Sequence, residues 1–490
     1  MSFVVYSIVA LTLAVLAITI SLTGKHKVFS EARAMTAPAF ALTMIPAFYT
    51  VLGTIYQVDL MASDGLAQWW LYALSWYPGY ILMIFLAGVI RATGPHITLP
   101  DRFLKYGRTA EILAAVACFL YLMPMDVMYT LGWIGQLLTD YTLPLELFTV
   151  VFGAGLILFT CYKGWAGYAL SGILFFIGIG TLGISSVALM GLAGGWGTIK
   201  AALPAGMFTP WFGDLSGFFN LLKDPATALW FLMGTIFLID PMVWQRVSLT
   251  ESSKATGRGM IFAFAFWALF DVTTVFSGLA IATMWNPETA WLLDTAFYLA
   301  PQVLGGVIIA ASLLCVIAGG NAYLHAGGMI VSQNIAKALG VLPEDTLSRD
   351  EEAKRWYRIG VAVLGTLTIL LVIVLNSFMP ADPTTLFWLV VSAILFGGIG
   401  FPLIFGGLFF RDRVPSLAVT LGIVFGLAAT LACLGYGFIA PEATSVLTLG
   451  ILKDTATATP YIDASRIVGL GASIVGYALG WVISMVSGGE

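Results

Sequence analysis

Charge is what this sequence has least of. Only 10% of its 490 residues are Asp, Glu, Lys or Arg, 59% are apolar, and the mean hydropathy is +0.95. Soluble domains carry about 25% charged residues. A water-soluble fold this apolar would aggregate, so the bulk of the chain belongs in a lipid bilayer. The net charge of −4 leaves no basic surface, which excludes nucleic acid as a partner. Histidine is scarce, with three residues and no H-E-x-x-H or other metal-spaced cluster, and no nucleophile motif occurs; both absences argue against an enzyme. The four cysteines, Cys118, Cys161, Cys315 and Cys433, form no C-x-x-C pair. Each sits in an apolar run and reads as a small core residue. A long polar domain is also missing. The longest outer loop, 194–225, carries Trp and Phe suited to an interfacial cover, and "PEDTLSRDEEAKRWYR" reads as a solvated connector.

What the sequence does hold is a series of apolar runs. A bilayer core takes about 20 residues per helix. Thirteen runs qualify: 4–23, 37–56, 69–90, 110–137, 146–161, 166–193, 226–245, 259–284, 303–336, 358–379, 385–409, 415–438 and 466–487. The first is a poor signal peptide, because "MSFVVYS" has no positive charge and the positives follow it in "GKHK". Thirteen spans place the N-terminus outside and the C-terminus in the cytoplasm of a multi-pass plasma-membrane protein. All Lys and Arg except Lys200, Lys223, Lys453 and Arg466 then fall in cytoplasmic loops, 18 of the 22, as the positive-inside rule requires.

Two of these runs carry interior breaks. The second has Pro46 and Gly53; the seventh has Gly234 and the pair Asp240–Pro241. Proline removes one backbone donor and blocks an acceptor. Such breaks survive in lipid only where protein or a wet cavity satisfies the freed groups. The two runs are five apart, and broken helices at matching places in two repeats point to a transporter binding site. An ordinary proline kink is the plainer reading of either one alone.

Three stretches, taken in order, resemble the sodium:solute symporter family. "HITLPDRFLKYGR" is similar to its T-x-P-[DE]-F-L-x-x-R-[FY]-G loop after the third span. "KGWAGYALSGILFFIG" is similar to its entry to the sixth span. "DPMVWQRVSLTESSKATGRG" is similar to its [DN]-Q-x-x-V-Q-R-x-x-x-A-K segment. The resemblance covers about residues 30–440. It implies an all-α integral membrane protein of about thirteen helices with a LeuT-type core of two inverted five-helix repeats. On that plan residues 1–30 form an extra N-terminal helix. Residues 31–200 form the first repeat, 201–412 the second, and 413–490 two extra C-terminal helices. The family's activity implies a secondary active symporter that moves a small organic solute by alternating access, with sodium as coupling ion.

The same resemblance places the family's cation site at Thr43, Pro46, Cys315, Ala318 and Gly319. There two hydroxyl ligands are replaced by a methyl and a hydrogen, and the T-D pair of the sixth span reads Ser171–Gly172. A hard cation wants oxygen ligands, so sodium coupling is put in doubt, and a proton-coupled carrier or an uncoupled facilitator on the same scaffold is the alternative. The family's solute contacts fall on Met233 and Ile236, with Thr50, Gly53, Asp126 and Asp271 completing the expected substrate set. Asp126, Asp240 and Asp271 lie within spans, and no Lys or Arg lies mid-span to neutralise them. An intramembrane carboxylate is a functional candidate by default. Either these stay protonated, or something cationic visits: a proton, a metal ion or an amine-bearing solute. Asp240 has a second reading as a helix cap, and Asp59 and Asp64 as a solvated or acidic entrance. On the ninth span Cys315, Ala318, Gly319, Ala322 and Ala326 share a face of small side chains, a close-packing surface or a degenerate ion site. Asn321, His325 and Ser332 make a polar stripe beside it. His325 is either packed against a hydrogen-bond partner or, with Asp126 and Asp271, a proton carrier. The lipid bilayer, the solute and a coupling cation are the expected partners; oligomeric state stays open.

Overall fold

A computed structural model describes residues 3–22, 35–92, 96–209, 234–284, 291–343, 351–378, 390–404, 414–439 and 460–487. Among them helix is the only regular element, apart from one isolated bridge that pairs Met35 with Thr250. Among the described residues nine helices are long and apolar enough to cross a membrane, and three shorter apolar helices accompany them. Each of the thirteen apolar runs holds helix. In order these are α1 (Phe3–Leu22), α2 (Ala37–Phe48), α3 (Gln57–Ala92), α4 (Arg108–Tyr121), α5 (Met125–Leu138) and α6 (Leu145–Leu192). A short α7 (Gly195–Ala202) opens the long loop. Then come α8 (Pro241–Leu249), α9 (Ser253–Met284), α10 (Gln302–Ile330), α11 (Glu351–Phe378), α12 (Val390–Gly400), α13 (Ser416–Ile439) and α14 (Pro460–Val486).

The boundaries differ from the sequence expectation in two ways, each with a local cause. The run 110–137 is two helices, because Pro124 ends α4 and starts α5. The second and third runs, and the fifth and sixth, are joined by glycine pivots instead of loops. Gly65 has φ +78° and Gly164 has φ +48°, backbone that only glycine adopts cheaply. The loop at 194–225 is partly structured, by α7 and a 3-10 turn at Ala205–Phe208; the rest of it lies outside the described residues.

The core sits around α10, which is buried along almost its whole length. It packs against α6, α1, α11, α5 and α2, while α13 and α14 pair with each other and with α12. The first and third quoted motifs meet in space. Arg102, in the 3-10 turn Pro100–Tyr106, lies over the Trp244 ring of α8 at 4.7 Å and donates to the Ile90 carbonyl at 3.0 Å. Asn334, just past α10, donates to Asp101 at 2.6 Å and to Glu111 at 2.9 Å, and accepts from Thr98 at 2.7 Å.

Helices cross here by glycine contact. A Cβ at Gly79 would stand 1.9 Å from the Gly234 carbonyl oxygen, and one at Gly234 would stand 1.5 Å from the Ser75 oxygen. Small residues let membrane helices approach backbone to backbone, and neither site has a flexible side chain that can yield. Gly79→Ala should therefore lower the melting temperature and folded yield in detergent by at least the ~1–3 kcal/mol typical of overpacking. Gly155→Ala, where nothing lies within 4 Å, should leave both unchanged. Equal behaviour of the two variants in a thermal unfolding assay would refute the crossing contact.

Candidate substrate cavity and cation site

Both expected breaks are present. Pro46 sits in the last turn of α2, which stops at Phe48, and the chain resumes through a π turn at Leu52–Tyr56. Thr54 closes the gap: its N–H donates to the Thr50 carbonyl at 3.1 Å and its hydroxyl to the same oxygen at 2.8 Å. At the second break a 3-10 turn, Thr235–Leu238, gives way at Ile239 to α8. Asp240 caps α8, accepting from the Met242 N–H at 2.7 Å and the Val243 N–H at 3.1 Å, while its other oxygen accepts from the Tyr121 hydroxyl at 2.9 Å. The cap reading of Asp240 is thus the one the geometry carries, and capping satisfies donors that lipid cannot.

The two breaks face one buried cavity of about 40 Å3. That is room for a few waters and too little for an organic solute without helix movement. Thr50 and Gly53 line it from the first break; Ile236, Phe237 and Asp240 line it from the second. Of the expected substrate residues, Thr50, Gly53 and Ile236 are therefore brought together; Met233 lies outside the described residues. Aromatic rings missed in the sequence reading complete the wall: Tyr49, Tyr72, Trp76, Tyr121, Trp267 and Tyr323. The ring of Trp267 stands 4.9 Å from Phe48, 5.8 Å from Phe237 and 6.3 Å from Tyr49, mostly tilted or edge to face. The clustering of "AFYT" beside Pro46 and "WYPG" at 76–79 was the available signal.

Asp126 and Asp271 stand behind this wall. Asp126 is 8% exposed and accepts from the Thr50 hydroxyl at 2.9 Å, so the first turn of α5 meets the first break. Asp271 is buried in α9 and accepts from the hydroxyls of Tyr49 and Tyr77, both at 2.5 Å. With the Gln57 amide turned so that its nitrogen faces acceptors, it lies 2.9 Å from Asp271 Oδ1 and 3.1 Å from the Gly53 carbonyl. Each buried carboxylate thus meets hydroxyl or amide donors from the cavity's own lining.

The positions given to sodium are close in space but not open. Gly319 of α10 faces the first break, where a Cβ would lie 2.8 Å from the Thr50 methyl and 3.5 Å from the Pro46 carbonyl oxygen. The two elements lie side by side, and the gap between them is filled by packing. Thr43 donates its hydroxyl into its own helix, to Ala39 and Phe40, and its carbonyl accepts from Arg246 Nε at 3.0 Å. Cys315 turns toward the Phe175 carbonyl of α6 at 3.9 Å, and Ala318 is fully buried without a polar atom. At Gly172, where the resemblance expects a carboxylate, a Cβ would lie 2.6 Å from the Leu42 carbonyl oxygen. Leu42 is the acceptor that Pro46 leaves without its helical donor, and the glycine lets α6 close over it. Among the described residues no group of three or more His, Cys, Asp or Glu stands where it could hold a metal ion.

The polar stripe of α10 points elsewhere. Asn321 donates to the Ser171 hydroxyl at 2.9 Å and accepts from Thr160 at 2.7 Å. His325 Nδ1 lies 2.9 Å from the Tyr357 hydroxyl, which reaches the Thr160 carbonyl at 3.4 Å. Neither lines the cavity. At the start of α3, Asp59 accepts from the Leu292 N–H at 2.6 Å; beside it Asp294 accepts from Tyr141 at 2.9 Å and Asp140 from Tyr298 at 2.7 Å. Burial pushes the Asp294 carboxyl above its ordinary value, the Tyr141 hydrogen bond offsetting part of this, and Tyr141 itself is pushed up to about 12.

No protein-family model matches the chain, and no curated protein matches it in sequence. Solved structures do. A Na+-coupled sialic acid symporter, in a substrate-bound outward-open state, aligns with a TM-score of 0.70 at 14% identity over 99% of this chain and 98% of that one. A nucleobase-cation-symport-1 family transporter, closed with bromovinylhydantoin bound, aligns at 0.55 and 14% over 92% and 96%. MhsT in complex with L-phenylalanine aligns at 0.53 and 15% over 92% and 100%. The chain has the LeuT-type fold, an all-α multi-pass membrane architecture.

Two outcomes follow from the site. Gly319→Ser should lower thermal stability in detergent, because its Cβ meets the Thr50 side chain, and added sodium should not restore it; a sodium-dependent rise in melting temperature would mean the site is open. A buried Asp294 with a raised folded pKa binds its proton more tightly than the unfolded chain does, so its contribution is present at low pH and lost as pH rises through the folded pKa. Asp294→Asn should accordingly flatten the fall in melting temperature from acid toward neutral pH, and an unaltered profile would contradict the burial.

Proposed function

We propose that this chain is a secondary transporter that moves a small organic solute by alternating access, with the solute held where the two broken helices meet. The observation that carries this reading is the single cavity shared by residues of both breaks, walled by aromatic rings and backed by Asp126 and Asp271. Discontinuous helices at this position are where such folds hold solute and coupling ion. The aligned structures are named as symporters of sialic acid and as a nucleobase-cation transporter, which supports the class but not a particular solute. Residues 31–200 and 201–412 then act as the two inverted repeats. The cytoplasmic face is the one bearing the Arg102 and Asn334 contacts, as the positive-inside reading has it.

Coupling to sodium at the carbonyl site is the weaker option. Arg246 occupies the Thr43 carbonyl, Thr50 and Gly319 close the gap, and neither Ala318 nor Gly319 offers a hydroxyl. A proton needs no oxygen cage, and Asp126 and Asp271 adjoin the cavity; His325 sits outside the lining, against Tyr357. An uncoupled facilitator fits the same geometry.

Reconstituted protein, with sodium and proton gradients imposed separately, tests both parts. Replacing sodium by potassium at fixed pH should change initial uptake by less than about tenfold, the equivalent of roughly 1.4 kcal/mol; a larger loss would restore sodium as the coupling ion. Asp126→Asn should fold, since a neutral isostere still accepts from Thr50, yet lose uptake by about tenfold or more. Full activity with an unchanged pH profile would remove Asp126 from the mechanism.

A further inference from the structure

We infer that the solute is a small organic cation, an amine or quaternary ammonium held by ring faces with carboxylates behind them; this rests on the transporter reading above. Eight of the thirteen residues lining the cavity are aromatic, and among the described residues the lining holds no Lys, Arg or His. Ring faces attract a cation through the quadrupole, and aromatic cages are the usual receptor for alkylammonium groups.

The polar groups of the lining argue against other classes. The Thr50 hydroxyl donates to Asp126, the Tyr49 hydroxyl to Asp271, and the Tyr121 hydroxyl to Asp240. A sugar or other polyol needs several donors and acceptors free to meet it, and these three hydroxyls already donate to carboxylates. A carboxylate solute needs a positive partner. The guanidinium on the second broken helix, Arg246, lies outside the lining and donates through Nε and Nη1 to the Thr43 and Met242 carbonyls. What the committed donors share is their acceptors: all three point at carboxylates. Asp126, Asp240 and Asp271 are 8%, 3% and 1% exposed; Asp240 lines the cavity itself, while Asp126 and Asp271 stand behind it, hydrogen-bonded to the lining residues Thr50 and Tyr49. Their field acts on the cavity through low-dielectric surroundings, where one sign of charge is focused. Asp59, at the start of α3, with Asp294 and Asp140 makes a second acidic group. An ammonium entering the cavity would meet π faces first and carboxylates second, with Arg246 outside the lining and held against the Thr43 and Met242 carbonyls.

Counterflow uptake into proteoliposomes of the full chain tests this with three pools of labelled probes: choline with tetramethylammonium, glucose with proline, and pyruvate with benzoate. Saturable uptake of choline or tetramethylammonium, about tenfold above protein-free liposomes, is expected. The uncharged choline isostere 3,3-dimethylbutan-1-ol should not compete. Trp267→Leu and the isosteric Asp126→Asn, each checked as monodisperse by size exclusion, should reduce that uptake about tenfold. Uptake confined to the neutral or anionic pool would overturn the cationic class and leave the transporter reading standing. Equal competition by the uncharged isostere would also overturn it. Uptake from none of the pools would overturn the class and count against transport itself.

Discussion

Inside a bilayer no water is at hand to satisfy a backbone group, and that constraint shapes everything at the centre of this molecule. A helix can stop in mid-membrane only where other side chains take up its loose ends. Here they come from across the fold. Asp240 receives the N–H groups of α8, Tyr121 of α4 steadies Asp240, and Arg246 of α8 reaches the Thr43 carbonyl of α2. The cavity is what is left where those caps converge. Its polar lining is therefore first a solution to a solvation problem, and what that solution leaves over is mostly aromatic surface.

Glycine plays the opposite part. At Gly79, Gly234, Gly172 and Gly319 the absent Cβ lets one element close on another's backbone or side chain. In a membrane, where apolar burial between helices gains little, such contacts supply the packing. They also consume space. A cation bound between α2 and α10 needs a gap and several oxygens, and glycine at 319 has allowed the Thr50 methyl to fill that gap. Sequence loss of hydroxyls and structural loss of volume are the same change seen twice.

The thirteen runs, their breaks and the fold class were legible because lipid imposes length and apolarity, and because proline and Asp–Pro are unambiguous backbone signals. Thr50, Gly53 and Ile236 line one cavity for that reason: they flank the breaks. The aromatic wall was not legible, since Tyr72, Trp76 and Trp267 come from α3 and α9, and aromatic residues are common in apolar spans for many reasons. The splitting of the run 110–137 at Pro124 went unread because hydropathy does not drop there. Gly65 and Gly164 were passed over because a helix pivot at positive φ looks, in sequence, like any other membrane glycine. His325 and Asn321 drew notice as polar residues in lipid, yet their partners, Tyr357, Thr160 and Ser171, come from two distant helices and only the fold pairs them.

The small bridge between Met35 and Thr250 has a mechanical meaning. Met35 donates to Leu249 at 3.1 Å and accepts from Glu251 at 3.0 Å, and Arg91 donates to the Thr250 carbonyl at 2.6 Å. This stitch lies at the entry to α2 and the exit from α8, while Arg246 ties the same two helices one turn nearer the cavity. The halves of the two broken helices on that side are thus joined at two points, by backbone pairing at one and by a guanidinium at the other, so that prising them apart would break both sets of bonds.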